Sequence, residues 1–200
     1  MKPAVMTKRC LLTAIVLYLL SVIEGSNLNC SEPCLIYSAT TEINAIELST
    51  SRKVTLATNL QRAVALDVHV SEKTIYWSDI TEKVIKRMNL SSGIVEDIIT
   101  DGLGSVEGLA VEWESQLIYW SDYTYSSIEV ASLDGSQRKL LFTEKVGRPR
   151  GIALYPKKGL MFWTDWDQHP KLNEQVWLVL IELSWYISVA LLSSGQWRFS

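Results

Sequence analysis

The sequence is poor in cysteine, histidine and clustered positive charge. It has 3 cysteines and 2 histidines in 200 residues, and they form no cluster with zinc-ligand spacing. Its 19 lysines and arginines are outnumbered by 22 acidic residues, so it lacks the basic excess expected of a nucleic-acid-binding domain. It also has no GxSxG, HExxH, P-loop or EF-hand motif. These absences leave no recognisable catalytic, metal-binding or cofactor-binding constellation, and no cofactor is predicted.

The N-terminus has the pattern of a secretory signal peptide. A basic start leads into an apolar run without charge at 10–23, and the small residues Gly25 and Ser26 follow. A transmembrane helix needs about 20 apolar residues, so this run is short for a membrane span. We therefore predict a signal peptide at 1–25. Its removal leaves 16 basic and 21 acidic residues, a net charge of −5, which fits a mildly acidic extracellular protein.

Two cysteines and two glycosylation motifs follow the predicted signal peptide. Cys30 and Cys34 are separated by three residues, which does not match a CxxC redox motif, and disulfides persist in the secretory pathway. They are predicted to form a structural bridge, or else to pair outside this chain. Asn29 and Asn89 each begin an Asn-X-Ser acceptor sequence for glycosylation. Asn89 lies in a predicted turn and is the stronger candidate.

A short aromatic motif repeats three times with a fixed period. Its tryptophans are Trp77, Trp120 and Trp163, each 43 residues from the next. Each tryptophan follows Tyr or Phe and precedes Ser-Asp or Thr-Asp; the flanking residues are Tyr76, Asp79, Tyr119, Asp122, Phe162 and Asp165. A period of about 40 to 45 residues that holds several short strands is typical of β-propeller blades.

One period contains four predicted strands. Apolar residues alternate at 108–113, run continuously at 117–121, alternate again at 127–133, and end the unit at 138–143. Asp134-Gly135 is the predicted turn between the last two strands. Upstream, the segments 35–39, 43–48 and 52–57 are predicted as the second, third and fourth strands of a degenerate unit that lacks its first strand.

The repeats resemble the YWTD β-propeller of low-density-lipoprotein-receptor relatives. Within that family, "IYWSDITEKVIKR", "RKLLFTEKVGRPRGIAL" and "MFWTDWDQHPKL" are most similar to the first propeller of the Wnt co-receptor branch. The resemblance covers about 35–172. It implies an all-β fold, an incomplete six-bladed propeller with about three blades, occupying 26–172.

The repeated motif is predicted to be structural. Each tryptophan can bury its ring between neighbouring blades, with the preceding Tyr or Phe filling the sheet interface. The Ser/Thr and Asp side chains can then accept hydrogen bonds from buried donors at the blade junction. A catalytic role for Asp79, Asp122 or Asp165 would need an acid-base partner, and no copy of the motif differs from the others in this respect.

The resemblance implies a binding function on one rim of the propeller. In the Wnt co-receptors that rim recognises Wnt proteins and secreted antagonists with a short Asn-containing motif, and Frizzled-type receptors are possible further partners. The matching rim positions are Glu82, Lys83, Ser105, Glu107, Thr124, Arg150 and Trp166. A basic rim residue that the family carries near Thr40 and Thr41 is missing. The alternatives are an endocytic lipoprotein-receptor relative, whose propeller assists ligand release, and a propeller hydrolase, which is disfavoured.

The chain departs from the family pattern after Leu172. The segment 173–200 is apolar, and within it 176–192 carries Glu182 as its only charge. An acid in the middle of a membrane span costs about 2.5 to 3.5 kcal/mol on insertion scales, so this segment is a marginal span. A sequence or splicing artefact, the tail of a truncated isoform and a single-pass anchor all remain open. The resemblance places the full-length parent at the cell surface, reached through the secretory pathway.

Overall fold

The computed structural model describes residues 15–18, 34–144, 146–166, 177–182 and 189–191. Within these ranges the chain forms antiparallel sheets. The first eight strands are β1 (Ile15–Tyr18), β2 (Cys34–Ser38), β3 (Ile43–Glu47), β4 (Lys53–Ala57), β5 (Ala63–His69), β6 (Thr74–Asp79), β7 (Val84–Asn89) and β8 (Val95–Ile99). The next eight are β9 (Val106–Glu112), β10 (Leu117–Asp122), β11 (Ser127–Ser132), β12 (Lys139–Phe142), β13 (Pro149–Tyr155), β14 (Leu160–Asp165), β15 (Trp177–Glu182) and β16 (Val189–Leu191).

The strands form four sheets of four consecutive strands each, which we call blades 1 to 4 in chain order. Every neighbouring pair within a blade is antiparallel. The first strands of blades 2, 3 and 4 lie side by side, with β9 in contact with both β5 and β13. This is the arrangement of inner strands around a propeller axis. The chain is therefore an all-β, incomplete propeller, and a 3-10 turn at Pro156–Lys158 is the only helical segment that the described ranges contain.

The strands predicted from the repeat agree closely with those observed. The predicted segment 117–121 corresponds to β10, and 127–133 corresponds to β11. In the degenerate unit, 35–39 corresponds to β2 and 43–48 to β3. Local alternation of apolar residues was sufficient here because each of these strands buries at least one face.

The two ends of the repeat array contain strands that the repeat pattern did not indicate. β1 pairs with β2 through Ile15–Tyr18, in the position of the strand that the degenerate unit lacks. β15 and β16 extend blade 4 from β14 into the apolar tail. Edge strands have free N–H and C=O groups that an extended segment can pair with. The domain boundaries stay predictions, and cleavage of the predicted signal peptide 1–25 would remove β1.

Each motif tryptophan lies between two blades. Trp77 packs against β2 and β3 of blade 1, Trp120 packs against blade 2, and Trp163 packs against blade 3. All three rings are almost completely buried, and Trp163 also stacks on Phe142 with ring centroids 5.8 Å apart. Because a buried aromatic ring removes a large apolar area from water, these three rings anchor successive blades to one another.

The aromatic residue before each tryptophan points the other way, toward the following blade. Tyr76 belongs to the same apolar cluster as Trp120, and Tyr119 belongs to the same cluster as Trp163. Burial raises the pKa of the Tyr76 phenol, and the nearby Arg87 partly offsets that rise. Burial likewise raises the pKa of Tyr119. The alternating directions follow from the strand geometry, in which successive side chains point to opposite faces.

Several predicted features lie partly or wholly outside the described residues. Asn29 and Cys30 belong to this group. Cys34 is disulfide-bonded, and its partner lies outside the described ranges, so its pairing with Cys30 stays a prediction. Of the marginal span at 176–192, the structure describes β15 and β16. In the parts of the chain that are described, no helix has the length and apolar character needed to cross a membrane.

Candidate ligand-binding rim

One rim of the propeller is formed where the motif strands end and the next turns begin. We call it the motif rim. It contains the turns after β6 and β10 and the segments that lead into β5, β9 and β13. All seven predicted site residues lie on this rim, in five segments of the chain, the fifth of which follows β14 and holds Trp166. The carboxylates of the motif hold those segments in place.

Asp122 shows how the motif carboxylate organises the rim. Its Oδ2 accepts a hydrogen bond from the backbone N–H of Gly104 at 2.6 Å, and its Oδ1 accepts one from Ser105 at 3.1 Å. The same Oδ1 also accepts from the backbone N–H groups of Thr124 and Tyr125. One buried carboxylate therefore satisfies donors from the segment before β9 and from the turn after β10.

The other two copies of the motif make the corresponding contacts. Asp79 accepts from the N–H groups of Gln61 and Arg62 before β5, and from two N–H groups in the turn after β6. Asp165 accepts from Gly147 at 2.9 Å and from Arg148 at 2.7 Å. These contacts agree with the structural interpretation of the motif, since a carboxylate occupied by backbone donors is poorly placed for acid-base chemistry.

The motif hydroxyls join one blade to the next. The Ser78 hydroxyl donates to the backbone carbonyl of Val106 at 2.8 Å and accepts from the N–H of Ala65 at 3.0 Å. The Ser121 hydroxyl donates to the carbonyl of Arg150 in blade 4. Both contacts reach the inner strand of the following blade. They fix the distance between neighbouring blades and therefore the spacing of side chains along the motif rim.

Four of the seven predicted site residues come together on blades 3 and 4. Arg150 Nη1 donates to Glu107 Oε2 at 2.8 Å, and Ser105 Oγ donates to Glu107 Oε1 at 3.1 Å. The guanidinium carbon of Arg150 lies 4.7 Å from the ring centroid of Trp166. We call Ser105, Glu107, Arg150 and Trp166, together with Tyr123, the arginine cluster.

Tyr123 completes this cluster and was not predicted from the sequence. Its ring centroid lies 5.1 Å from the guanidinium carbon of Arg150 and 5.4 Å from that of Arg148. Arg150 thus has aromatic rings of two residues within cation-π distance, which restrains the orientation of its planar guanidinium. The Arg150 side chain is 38% exposed, whereas the Glu107 side chain is 18% exposed. The Arg150 side chain is therefore accessible from the rim, and the less exposed Glu107 accepts its hydrogen bond.

The repeat contains the signal that would have identified Tyr123. Tyr123 and Trp166 occupy the same position of the 43-residue repeat, directly after the motif aspartate. Glu107 and Arg150 also share a repeat position, so their ion pair joins equivalent sites of adjacent blades. Comparing the repeats column by column would have placed Tyr123 beside Trp166.

The remaining three predicted site residues lie on the same rim but outside the arginine cluster. Thr124 packs against Gly104, where an added Cβ would come within 2.9 Å of the threonine hydroxyl. Glu82 forms an ion pair with Lys86 at 2.7 Å. Lys83 has a positive φ of 58°, as does Thr40 with 65°, so both occupy left-handed turn positions. Glu82 and Lys83 belong to blade 2, one blade away from the cluster.

The groups of the arginine cluster are suited to binding a protein ligand. It offers a restrained guanidinium and exposed aromatic surface, with Trp166 42% exposed. A guanidinium in this setting can donate to the carbonyl or carboxylate groups of a protein ligand. Among the described residues, no group of three or more His, Cys, Asp or Glu side chains is placed to hold a metal ion.

The sequence matches a known repeat family over the third blade and the start of the fourth. The family pattern described as "Low-density lipoprotein receptor repeat class B" matches residues 116–156. Residues 116–156 thus match one low-density lipoprotein receptor class B repeat. The matched segment includes β10 to β13, and therefore holds Trp120, Asp122, Tyr123 and Arg150.

The chain is also similar to curated low-density lipoprotein receptor-related proteins. Low-density lipoprotein receptor-related protein 4 of Homo sapiens is 40% identical over 82 residues, which is 41% of this chain and 4% of the relative. Low-density lipoprotein receptor-related protein 5 of Mus musculus is 36% identical over 84 residues, which is 41% of this chain and 5% of the relative. The chain thus spans about one twentieth of the length of these relatives.

A solved structure has the same propeller architecture. A chain of the nidogen/laminin complex superposes with a TM-score of 0.69 at 28% sequence identity. The superposition covers 79% of this chain and 61% of that chain. The partial coverage of the solved chain agrees with a class B propeller that is incomplete here.

Proposed function

We propose that this chain is part of the ectodomain of a low-density lipoprotein receptor-related receptor of the Wnt co-receptor branch. Its motif rim binds secreted protein ligands, either Wnt proteins or their secreted antagonists. The observation that carries the proposal is the arginine cluster, in which Glu107 and two aromatic rings orient a partly exposed Arg150. The similarity to receptor-related proteins 4 and 5 supports a receptor over an enzyme.

The arginine cluster favours recognition of a loop rich in carbonyl or carboxylate groups. Nη1 of Arg150 is engaged by Glu107 and Nε is buried, while the side chain as a whole is 38% exposed. Holding a long side chain in one conformation before binding lowers the entropic cost of association. A ligand loop can therefore gain an oriented hydrogen bond from the exposed part of the guanidinium, with Trp166 as the apolar neighbour.

A second candidate is an endocytic lipoprotein-receptor relative, in which the propeller assists ligand release. The similarity to receptor-related proteins 4 and 5 supports the coarser assignment, a receptor-related ectodomain, which both candidates share. Glu82 pairs with Lys86 and Lys83 has a positive φ, and both are exposed on blade 2, so they stay predicted rim residues for either candidate. In either case the ectodomain would reach the cell surface through the secretory pathway, and Frizzled-type receptors are further partners of the first candidate only.

The test measures binding of the full chain to a recombinant secreted Wnt antagonist. We expect Arg150→Ala to weaken binding about tenfold to a hundredfold, since hydrogen bonds to a charged group contribute about 1.5 to 3 kcal/mol. The backbone carbonyl of Arg150, which accepts the Ser121 hydrogen bond, is unaffected by this change. Thermal unfolding of both proteins checks that the fold is kept.

Lys158→Ala is the matched control. Lys158 lies at the opposite rim of the same blade, in the turn before β14, and its substitution removes one positive charge as Arg150→Ala does. The affinity of the Lys158→Ala protein for the antagonist should equal that of the unmodified chain. Equal affinity of Arg150→Ala and Lys158→Ala would contradict the assigned rim. If the unmodified chain binds other secreted ligands but no Wnt antagonist, the second candidate is favoured.

A further inference from the structure

Tyr123 lies at a repeat position whose backbone makes the same contact in blades 2, 3 and 4. The N–H of Tyr123 donates to the carbonyl of Ser105 at 2.8 Å. The residues that follow the other two motif aspartates make the equivalent contact, and these pairs are Ile80 with Arg62 at 3.1 Å and Trp166 with Arg148 at 3.0 Å. Because the backbone contact is shared, the blades differ at this position in the side chain that they place on the motif rim.

The side chain at this position matches the residues of the following blade. The ring centroid of Tyr123 lies 5.4 Å from the guanidinium carbon of Arg148 and 5.1 Å from that of Arg150, both in blade 4. One repeat earlier, Ile80 of blade 2 takes the place of the tyrosine. The positions of blade 3 that correspond to the two arginines carry no cation and are Ser105 and Glu107. An aromatic ring, whose face attracts a cation, thus occurs where the following blade carries two arginines.

Arg150 is held both at its backbone and at its guanidinium. Its backbone carbonyl accepts from the Ser121 hydroxyl. Its guanidinium donates to Glu107 and lies within cation-π distance of the rings of Tyr123 and Trp166. Glu107 and Tyr123 belong to blade 3, so the orientation of the guanidinium is set across the junction of blades 3 and 4. Contacts that immobilise a long side chain before the ligand arrives lower the entropic cost of binding.

We propose that Tyr123 is a positioning residue for ligand binding at the arginine cluster. Its ring holds the Arg150 guanidinium in one orientation, from which the guanidinium donates to a carbonyl or carboxylate oxygen of a secreted ligand. The inference rests on the proposed function of the motif rim and adds the residue that orients the guanidinium. Because Tyr123 acts through Arg150, its effect on affinity disappears when Arg150 is replaced by alanine.

A double-mutant cycle on the full chain tests whether Tyr123 acts through Arg150. We expect Tyr123→Ile to weaken binding of a recombinant secreted Wnt antagonist about threefold to tenfold, and to have no further effect in the Arg150→Ala protein. Isoleucine is the residue that blade 2 has at this position, so the turn accommodates it. Tyr123→Phe keeps the ring and should bind within about twofold of the unmodified chain. Unchanged affinity in Tyr123→Ile, losses that add in the double variant, or equal losses in Tyr123→Phe and Tyr123→Ile overturn the proposal.

Tyr155→Ile is the matched control. Tyr155 is an exposed tyrosine at the opposite rim of blade 4, and Nζ of Lys158 lies 6.0 Å from its ring centroid. The substitution therefore removes a cation-aromatic contact outside the motif rim, and the affinity for the antagonist should stay unchanged. Thermal unfolding of every variant checks that the fold is kept. A loss of affinity in Tyr155→Ile as large as that in Tyr123→Ile would show a general effect on the fold and overturn the proposal.

The NMR signal of the Arg150 Nε–H group tests the positioning without a ligand. Arg150→Ala identifies this signal by its loss. Because Nε is buried and two aromatic rings lie beside the guanidinium, ring currents should displace the proton resonance from the usual arginine range. Tyr123→Ile should move the signal toward that range, and Tyr155→Ile should leave it in place.

The two measurements separate failure of this inference from failure of the proposed function. If Arg150→Ala weakens antagonist binding while Tyr123→Ile changes neither affinity nor the NMR signal, the proposed function stands and the positioning role is wrong. If the unmodified chain binds no antagonist, the proposed function fails, and the NMR signal by itself decides whether Tyr123 positions Arg150. A signal that does not move in Tyr123→Ile overturns the proposal in either case.

Discussion

At the scale of single residues, each of the four neighbouring side chains of the motif makes a different contact. Trp120 fills the space toward the preceding blade, and Tyr119 fills the space toward the following blade. Ser121 bonds to the next inner strand, and Asp122 bonds to the two backbone segments that form the rim. Because each side chain has a different contact, the four adjacent positions cannot be exchanged with one another.

Asp122→Ala should lower the free energy of unfolding by about 3 kcal/mol or more. The substitution leaves backbone N–H groups before β9 and after β10 without their acceptor, and a buried unsatisfied donor costs about 1 to 3 kcal/mol. Urea unfolding of the two proteins measures the difference.

Asp134→Ala is the matched control for this prediction. Asp134 is an exposed turn residue, and hydrogen bonds from the Ser136 side chain and from the Ser136 backbone N–H lower the pKa of its carboxyl group. Asp134→Ala removes a carboxylate of the same residue type outside the rim, so we expect a much smaller loss of unfolding free energy than for Asp122→Ala. A loss of stability for Asp122→Ala no greater than that for Asp134→Ala would be inconsistent with a structural carboxylate.

At the scale of elements, the unit of stability is the contact between two blades. The three apolar clusters each combine residues of adjacent sheets and lie between them. The inner strands approach so closely that Gly108 has no room for a side chain beside β13. Glu107 and Arg150 bridge the same two strands at the rim. Blade spacing therefore sets both the packing of the core and the geometry of the arginine cluster.

Gly108→Ala and Gly151→Ala form a matched pair that tests the blade contact. The first substitution forces a methyl group against the backbone of β13, and overpacking of this kind costs about 1 to 3 kcal/mol. The second places the methyl group on an open surface, where we expect a change within about 0.5 kcal/mol. Thermal unfolding in dilute solution compares them. Equal effects would mean that β9 and β13 are not in close contact.

At the scale of the whole molecule, the two rims have different character. The motif rim holds the arginine cluster, while the opposite rim holds the β7–β8 turn with Asn89. The side-chain Oδ1 of Asn89 accepts from the backbone N–H groups of Ser91 and Ser92, and its side-chain Nδ2 donates to the backbone carbonyl of Glu72 in an exposed contact. A glycan at Asn89 would therefore extend away from the motif rim.

We predict that Asn89 carries an N-linked glycan when the chain passes through the secretory pathway. Digestion with an amidase that removes N-linked glycans should lower the mass of the secreted protein, and Asn89→Gln should reduce or abolish that shift. Ser91→Ala removes the acceptor sequence while it keeps Asn89, and should have the same effect. Antagonist binding should be unchanged in both variants. A glycan shift that persists undiminished in both would assign the modification to another site.

The sequence was enough to predict the repeat, the strands within each unit and a structural role for the motif. These depend on local alternation of apolar residues and on the 43-residue spacing, both of which can be read along the chain. It also placed Ser105, Glu107, Arg150 and Trp166 on one rim, through the resemblance to a known family. It did not identify Tyr123, whose role depends on a cation-π contact with residues of another blade.

The contacts between predicted rim residues, and the strands that complete the ends of the array, depend on how the sheets pack and pair in space. Glu107 and Arg150 are 43 residues apart, and their ion pair exists because β9 and β13 lie side by side. Glu82 and Lys83 were predicted from the same family resemblance, but they lie one blade away from the arginine cluster. β1, β15 and β16 have no repeat signature, and they are strands because the edges of β2 and β14 offer unpaired backbone groups to an extended chain. Contacts of this kind depend on the distance between sheets, which no local pattern encodes.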